Sequence, residues 1–344
     1  MAFQKKEDDS AYRQFRRELE TGNIGNLYIF YGEETYLRDH YLGELKKVLL
    51  TGGLDDFNYH ILQGKDMTLQ RLREMVDAMP MMSERTFVVV VDYDMNGGKE
   101  PLLEIISDLP DYVCLVFVYD VLEYKPDNRS KLSKLLKEKG LAVNFLRQDQ
   151  KDLTGWIARR FRALGHEIGT EDASYLIFLC GDLMTNLVTE IEKVGAYAKE
   201  KRVTRRDIDS VATPQLDAVI FWLTDAVAER NFDKAFSVLG DLLHMQEAPI
   251  KILSVLGKQL RQLYAACLAR EAGKGSQWVA DLWGMRSAYP AEKLMRSARS
   301  FSKEWCRRTL LLCEKTDFAL KSSGLDGKEA LTNLLLDMAA SSAV

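Results

Sequence analysis

At 344 residues, with 47% hydrophobic and 28% charged side chains, the chain is too long for one core and has the composition of a soluble globular protein of two or three domains. A formal net charge of −4 excludes a strongly basic, autonomous nucleic-acid binder. The acidic excess lies in the first 140 residues and the last block is slightly basic, so any DNA contact must be local or shared with partner chains.

Strand and helix signals alternate over the first 150 residues. β-prone runs at 27–31, 58–62, 87–92, 114–119 and 141–146 alternate with amphipathic stretches at 35–50, 69–79, 100–108 and 128–139. The alternation predicts a parallel sheet with helices on both faces, and the unbroken apolar runs at 87–91 and 114–118 predict its central strands. The strand at 27–31, Gly32 and the following helix have the layout of a phosphate-cradling turn, but not its chemistry. A P-loop needs G-x-x-x-x-G-K-[ST]. Counted from Gly32, Leu37, Arg38 and Asp39 replace the second glycine, the lysine and the hydroxyl. This degenerate loop at Gly32, Leu37 and Arg38 predicts no bound cofactor. Gly97 and Gly98 lack the rest of a dinucleotide fingerprint and read as a turn.

In the string AMPMMSER, residues 78–85, Pro80 breaks the preceding helix. Neighbouring positions of a helix or strand point in different directions, so Met81 and Met82 cannot share one buried face. From the residues alone they are either core side chains under the sheet or an exposed apolar prong for a partner's pocket.

From Gln150 the strand signals stop. Residues 153–164, 170–180, 183–199 and 204–209 predict a small helical bundle with N-cap regions at Thr170 and Thr204. Lys199, Lys201, Arg202, Arg205 and Arg206 crowd one stretch, read as a solvated helix end or a phosphate contact. Helices are then predicted at 218–230, 232–245, 249–271, 277–283, 290–300, 302–322 and 328–340. Pro249 and Pro290 fall just inside helix starts, and Gly273 and Gly324 just past helix ends. Trp222, Trp278, Trp283 and Trp305 read as packing anchors. Arg296, Arg299, Lys303 and Arg307 form a basic stripe if 290–308 is one helix, either a solvated face or a DNA contact. Cys114, Cys180, Cys267, Cys306 and Cys313 lie far apart in apolar runs and read as buried thiols of a reducing cytosol. The histidines are isolated and no metal-ligand spacing occurs. The first residues lack the apolar core of a signal peptide and no run reaches membrane-span length, so a cytoplasmic protein is expected.

An α/β domain (1–148), a small helical lid (149–212) and an all-helical third domain (213–344) form the layout of AAA+ clamp-loader subunits. The strings GEETYLRDHYL, AMPMMSERTFVVV and LLLCEKTDFALKSSGLDGKEALTNLLL resemble the delta-subunit family of bacterial DNA polymerase III, over essentially the whole chain. The resemblance implies a degenerate AAA+-like sheet domain, a lid and an oligomerising collar. It implies a non-catalytic subunit of a DNA-directed DNA polymerase (nucleotidyltransferase) holoenzyme. Such a subunit binds and opens the sliding clamp (beta subunit) for loading onto primed DNA during replication. Its further partners would be the gamma/tau ATPase subunits and delta prime in a hetero-oligomer, with no membrane.

Three departures from the superfamily's ATPases agree with a subunit that does not hydrolyse ATP. Asp92 is followed by Tyr93 where a second acid would stand. Met184 takes the place of the lid arginine in the string Gly181, Asp182, Leu183, Met184, and the Ser-Arg-Cys finger is absent after 114–119. The family's clamp-contact element falls on Pro80, Met81 and Met82. Competing readings are a delta-prime-like stator and a nucleotide-binding enzyme on a Rossmann-like domain. The missing finger and the methionine pair argue against the first, and the solitary Gly32 against the second.

Overall fold

Alternate residues of the central strands face two different helical layers, and this alternation builds the first half of the molecule. A computed structural model describes residues 2–51, 55–95, 99–127, 129–285, 288–322 and 325–341. Gly97, Gly98, Asn128 and Gly324 of the sequence reading lie outside them. The chain forms two compact units, Met1–Arg147 and Gln148–Val344.

In chain order the first unit contains α1 (Ala2–Thr21), β1 (Leu27–Tyr31), α2 (Thr35–Leu49), α3 (Asp55–Asn58) and β2 (Tyr59–Gln63). It continues with α4 (Leu69–Asp77), β3 (Thr86–Val91), α5 (Lys99–Ser107), β4 (Val113–Val118), α6 (Lys131–Lys139) and β5 (Leu141–Asn144). The sheet is parallel throughout, in the order β2-β3-β4-β1-β5. Leu27, Ile29, Val88, Val90, Leu115 and Phe117 pack with α4, α5 and α6. Tyr28, Phe30, Phe87, Val89, Cys114 and Val116 pack with α1 and α2. Period-two alternation thus gives β1, β3 and β4 two apolar faces each, as strands covered on both sides require.

The sequence reading has no counterpart to α1. Its anchor is Phe15, fully buried and edge-on to Tyr28 and Phe30 at centroid distances of 5.4 and 5.1 Å. This helix packs on β5 at one edge of the sheet, whereas β2 lies at the other edge with Ile61 54% exposed. Residue 58, expected in a strand, closes the short helix α3. The fourth predicted helix starts later than expected, at Lys131, because the Ser130 side chain caps it by accepting from the Ser133 N–H.

The second unit contains α7 (Gln150–Ala163), β6 (Glu167–Ile168), α8 (Thr170–Cys180), α9 (Met184–Tyr197), β7 (Arg202–Val203) and α10 (Arg205–Val211). Then come α11 (Leu216–Ala228), α12 (Phe232–His244), α13 (Pro249–Glu271), α14 (Ser276–Leu282), α15 (Ala288–Ser297), α16 (Lys303–Ser322) and α17 (Gly327–Ser341). Strands therefore do not stop at Gln150: β6 and β7 form a two-residue parallel pair, too short to leave a periodic signal. Thr204 opens α10, with the Asp207 carboxylate accepting its backbone N–H at 2.8 Å. For α8 the cap is Gly169, and Thr170 is already helical. Trp222, Trp283 and Trp305 pack in or against the large helical core around α11, α13 and α16, but Trp278 is 41% exposed. All five cysteines are buried and free. Among the described residues no helix is long and apolar enough to cross a membrane, and no cluster of His, Cys, Asp and Glu could hold a metal ion.

The basic stripe does not lie on one helix. Arg296 belongs to α15, Arg299 to the connection, and Lys303 and Arg307 to α16. The break is enforced locally: Phe301 is buried between the two helices, and the Ser302 hydroxyl accepts the Trp305 N–H at 3.0 Å, starting α16 afresh. Lys303 is paired with Glu271 at 2.9 Å.

Candidate functional site

The carboxyl edge of the sheet, where a phosphate loop would lie, is filled by the protein's own charges. Gly32 has φ +125°, and a Cβ there would come within 2.5 Å of the Phe145 carbonyl oxygen, so the turn is pressed against the chain leaving β5. The Glu34 N–H donates to the same carbonyl at 2.9 Å. Leu37 is half-buried against the core beneath α2. Arg38, 5% exposed, reaches inward from α2. Its Nε donates to Asp39 Oδ1 at 2.9 Å, and its Nη1 donates to Asp120 Oδ1 at 2.8 Å and to the Tyr119 carbonyl at 3.1 Å. Burial acts to lower the Arg38 pKa, but the two carboxylates outweigh it and hold the guanidinium pKa above its ordinary value.

Asp92, at the end of β3, has φ +54° and occupies a nest of backbone donors after β4. It accepts from the N–H groups of Asp120 at 2.8 Å, Val121 at 3.1 Å and Leu122 at 3.0 Å. Burial acts to raise its pKa, yet these donors, with Arg38 nearby, hold it below the usual aspartate range. A guanidinium and a ring of N–H groups, the equipment that grips an anionic ligand, are here engaged by Asp39, Asp120 and Asp92. Met184, at the lid-arginine position, is 2% exposed and packs inside the helical unit.

The methionine loop lies at the opposite, amino edge of the same sheet, because it leads into β3. That strand's six residues separate the two edges by roughly 20 Å. Helix α4 ends at Asp77, and Ala78 turns to extended backbone before Pro80. Met81 is 53% and Met82 81% exposed, and Met82 adopts φ +51°. Asn58, 2% exposed at the end of α3, holds the loop at its middle. Its Nδ2 donates to the Met81 carbonyl at 2.8 Å, and its Oδ1 accepts the Met81 N–H at 2.7 Å. Arg85 fixes the exit, donating to the carbonyls of Ile24 at 2.7 Å, Gly25 at 3.2 Å and Val113 at 3.2 Å.

Three further exposed apolar side chains have no site role in the sequence reading: Met79 in the same loop, Phe57 beside Asn58, and Ile61 on β2. Asn58 was also missed. Its partner Met81 lies distant in sequence, and no local pattern marks that pairing.

Of the four stripe residues, Arg296 lines a cavity of about 510 Å³ in the helical unit, together with Arg205, Lys293, Tyr175 and Tyr289. Arg205 lies 3.8 Å over the Tyr175 ring, and Glu171, Asp172 and Glu292 line the same cavity, so its charges are mixed.

Two family models match the chain in turn. The model described as DNA polymerase III, delta subunit, matches residues 28–146, and that of the DNA polymerase III delta subunit, C-terminal domain, matches residues 217–338. The chain belongs to the DNA polymerase III delta subunit family. Among relatives of this family, DNA polymerase III subunit delta of Bacillus subtilis is 26% identical over 93% of this chain and 94% of its own length. The Aquifex aeolicus protein named probable DNA polymerase III subunit delta is 22% identical over 90% of each chain. A solved structure of the Bacillus subtilis DNA clamp loader delta protein (YqeN) is similar with a TM-score of 0.55 and 23% identity. It covers 96% of this chain and 99% of that one, a likeness of fold. The delta family's parallel α/β domain with helices on each side, followed by helical domains, is the architecture found here.

Proposed function

We propose that this delta-family chain is a clamp-loader component that binds a ring-shaped sliding clamp, the beta subunit, and favours its open form for loading onto primed DNA. It does so without hydrolysing ATP itself. The observation that carries the reading is the pair Met81–Met82, standing in solvent on a loop that Pro80 separates from α4. Methionine is unbranched and polarizable, suited to a preformed apolar pocket, and full burial of each would contribute roughly 1.5–3 kcal/mol. Two adjacent side chains of that worth make a binding hot spot. Opening follows only if the loop binds the open ring more tightly than the closed one.

The filled carboxyl edge supports a non-catalytic role within the polymerase holoenzyme. Arg38 is turned inward onto Asp39 and Asp120, and this arrangement also weighs against a nucleotide-binding enzyme. In this reading residues 1–148 contact the clamp, 149–212 form a lid, and 213–344 join a collar with gamma/tau and delta prime in the cytoplasm. DNA contact in this reading falls to Arg296, Arg299, Lys303 and Arg307, which lie on two helices and their connection. The test is retention of purified clamp by the full chain and by Met81→Ala/Met82→Ala. The variant is expected to lose roughly 10²-fold in affinity, corresponding to about 3 kcal/mol of lost burial. Equal retention would rule the loop out.

A further inference from the structure

We infer that Asn58 is a positioning residue for the methionine loop: its buried amide holds Met81 in the backbone conformation that presents Met81 and Met82 outward together. This rests on the clamp-binding reading of those methionines. A primary amide can donate to a carbonyl and accept from an N–H of one residue at once, as a neighbouring β-strand would. Asn58 does both to Met81, at 2.8 and 2.7 Å, from a side chain 2% exposed. The next residue, Met82, sits at φ +51°, a region that bulky L residues rarely adopt and keep only when their surroundings impose it. The constraint comes from both sides: Asn58 at Met81, and Arg85 on the carbonyls of Ile24, Gly25 and Val113. Asn58 itself is anchored because the following residues form β2, paired to β3 from Tyr59↔Phe87 onward. The loop is therefore held in shape before any partner arrives, and a partner that needs this conformer binds in proportion to its population.

Released from Asn58, the loop would sample other conformers, and apparent affinity would fall by the fraction that remains competent. Asn58→Ala in the full chain is expected to weaken binding to purified clamp by about tenfold. In the free chain it should speed amide exchange at Met81 while Val88–Val90 in β3 stay protected. Added to Met81→Ala/Met82→Ala, it should cause no further loss, since it acts only through those side chains. Asn58→Asp keeps the acceptor for the Met81 N–H and removes the donor; nearly isosteric, it serves if the alanine variant does not fold, with the same direction expected. Wild-type binding by the Asn58 variants, unchanged Met81 exchange, or a further loss in the triple variant would overturn the positioning role while leaving the methionine loop in place. Wild-type binding by Met81→Ala/Met82→Ala would instead overturn both.

Discussion

Gly32 and Asp92 occupy the two turns that bracket Arg38, and each is held by backbone as much as by side chain. A methyl group on Gly32 would meet Phe145 O at 2.5 Å and Asn144 Oδ1 at 2.6 Å, at a φ of +125°. Gly32→Ala is therefore expected to cost about 2 kcal/mol or more, read as a lowered urea midpoint. Asp92→Asn should lower stability at pH 7 by about 1–3 kcal/mol, because three N–H groups lose a charged acceptor. The folded-state pKa of Asp92 is depressed, so its contribution is complete above the ordinary aspartate value of 3.8 and is lost as pH falls through the lower folded value. Urea titrations at stepped pH should show the gap between wild type and Asp92→Asn closing only below that ordinary value. Leu37, Arg38 and Asp39 already disclosed in sequence that the loop was not a phosphate cradle. That Asp120 completes the arrangement was illegible, since it lies after a different strand and only the parallel pairing of β1 with β4 brings it near.

Strands legible in sequence were those with long apolar runs: β1, β3 and β4 match their predicted places within a residue at each end. Helix α1 was not, although Tyr12, Phe15 and Leu19 recur on one face. So many charged residues surround them that the stripe is thin, and only Phe15 is fully buried. Phe15→Ala is expected to cost about 3–5 kcal/mol, since the ring touches Tyr28 and Phe30 and leaves a cavity between helix and sheet; thermal denaturation would measure it. The basic stripe was conditional on one helix over 290–308, and the separate helices predicted at 290–300 and 302–322 are closer to what the structure has. Arg296, Arg299, Lys303 and Arg307 keep ideal helical spacing, yet Phe301 and the Ser302 cap interrupt the helix between them. Ser302, followed by a fresh helical run, is the signal that favours two helices over one.

Each of the two units has its own apolar core, one built around the parallel sheet and one around α11, α13 and α16. Residues 1–147 and 148–344 are accordingly expected to fold as separate polypeptides, each giving one cooperative thermal transition by circular dichroism. Two units lie within the two or three domains that length predicts, and helices α8 and α11, on either side of the expected lid–collar boundary at 212, are in contact. The native thiols are all interior, and burial lifts those of Cys114, Cys180 and Cys313 to about 12. Cys267 is the exception, held below the ordinary thiol value by its contact with Cys306, but like the others it is buried, so a maleimide reagent has little access to any of the five. A single cysteine introduced at Val121, 85% exposed on the carboxyl edge, would take up a fluorophore or a surface tether without first stripping the others, leaving the methionine face turned toward the solution.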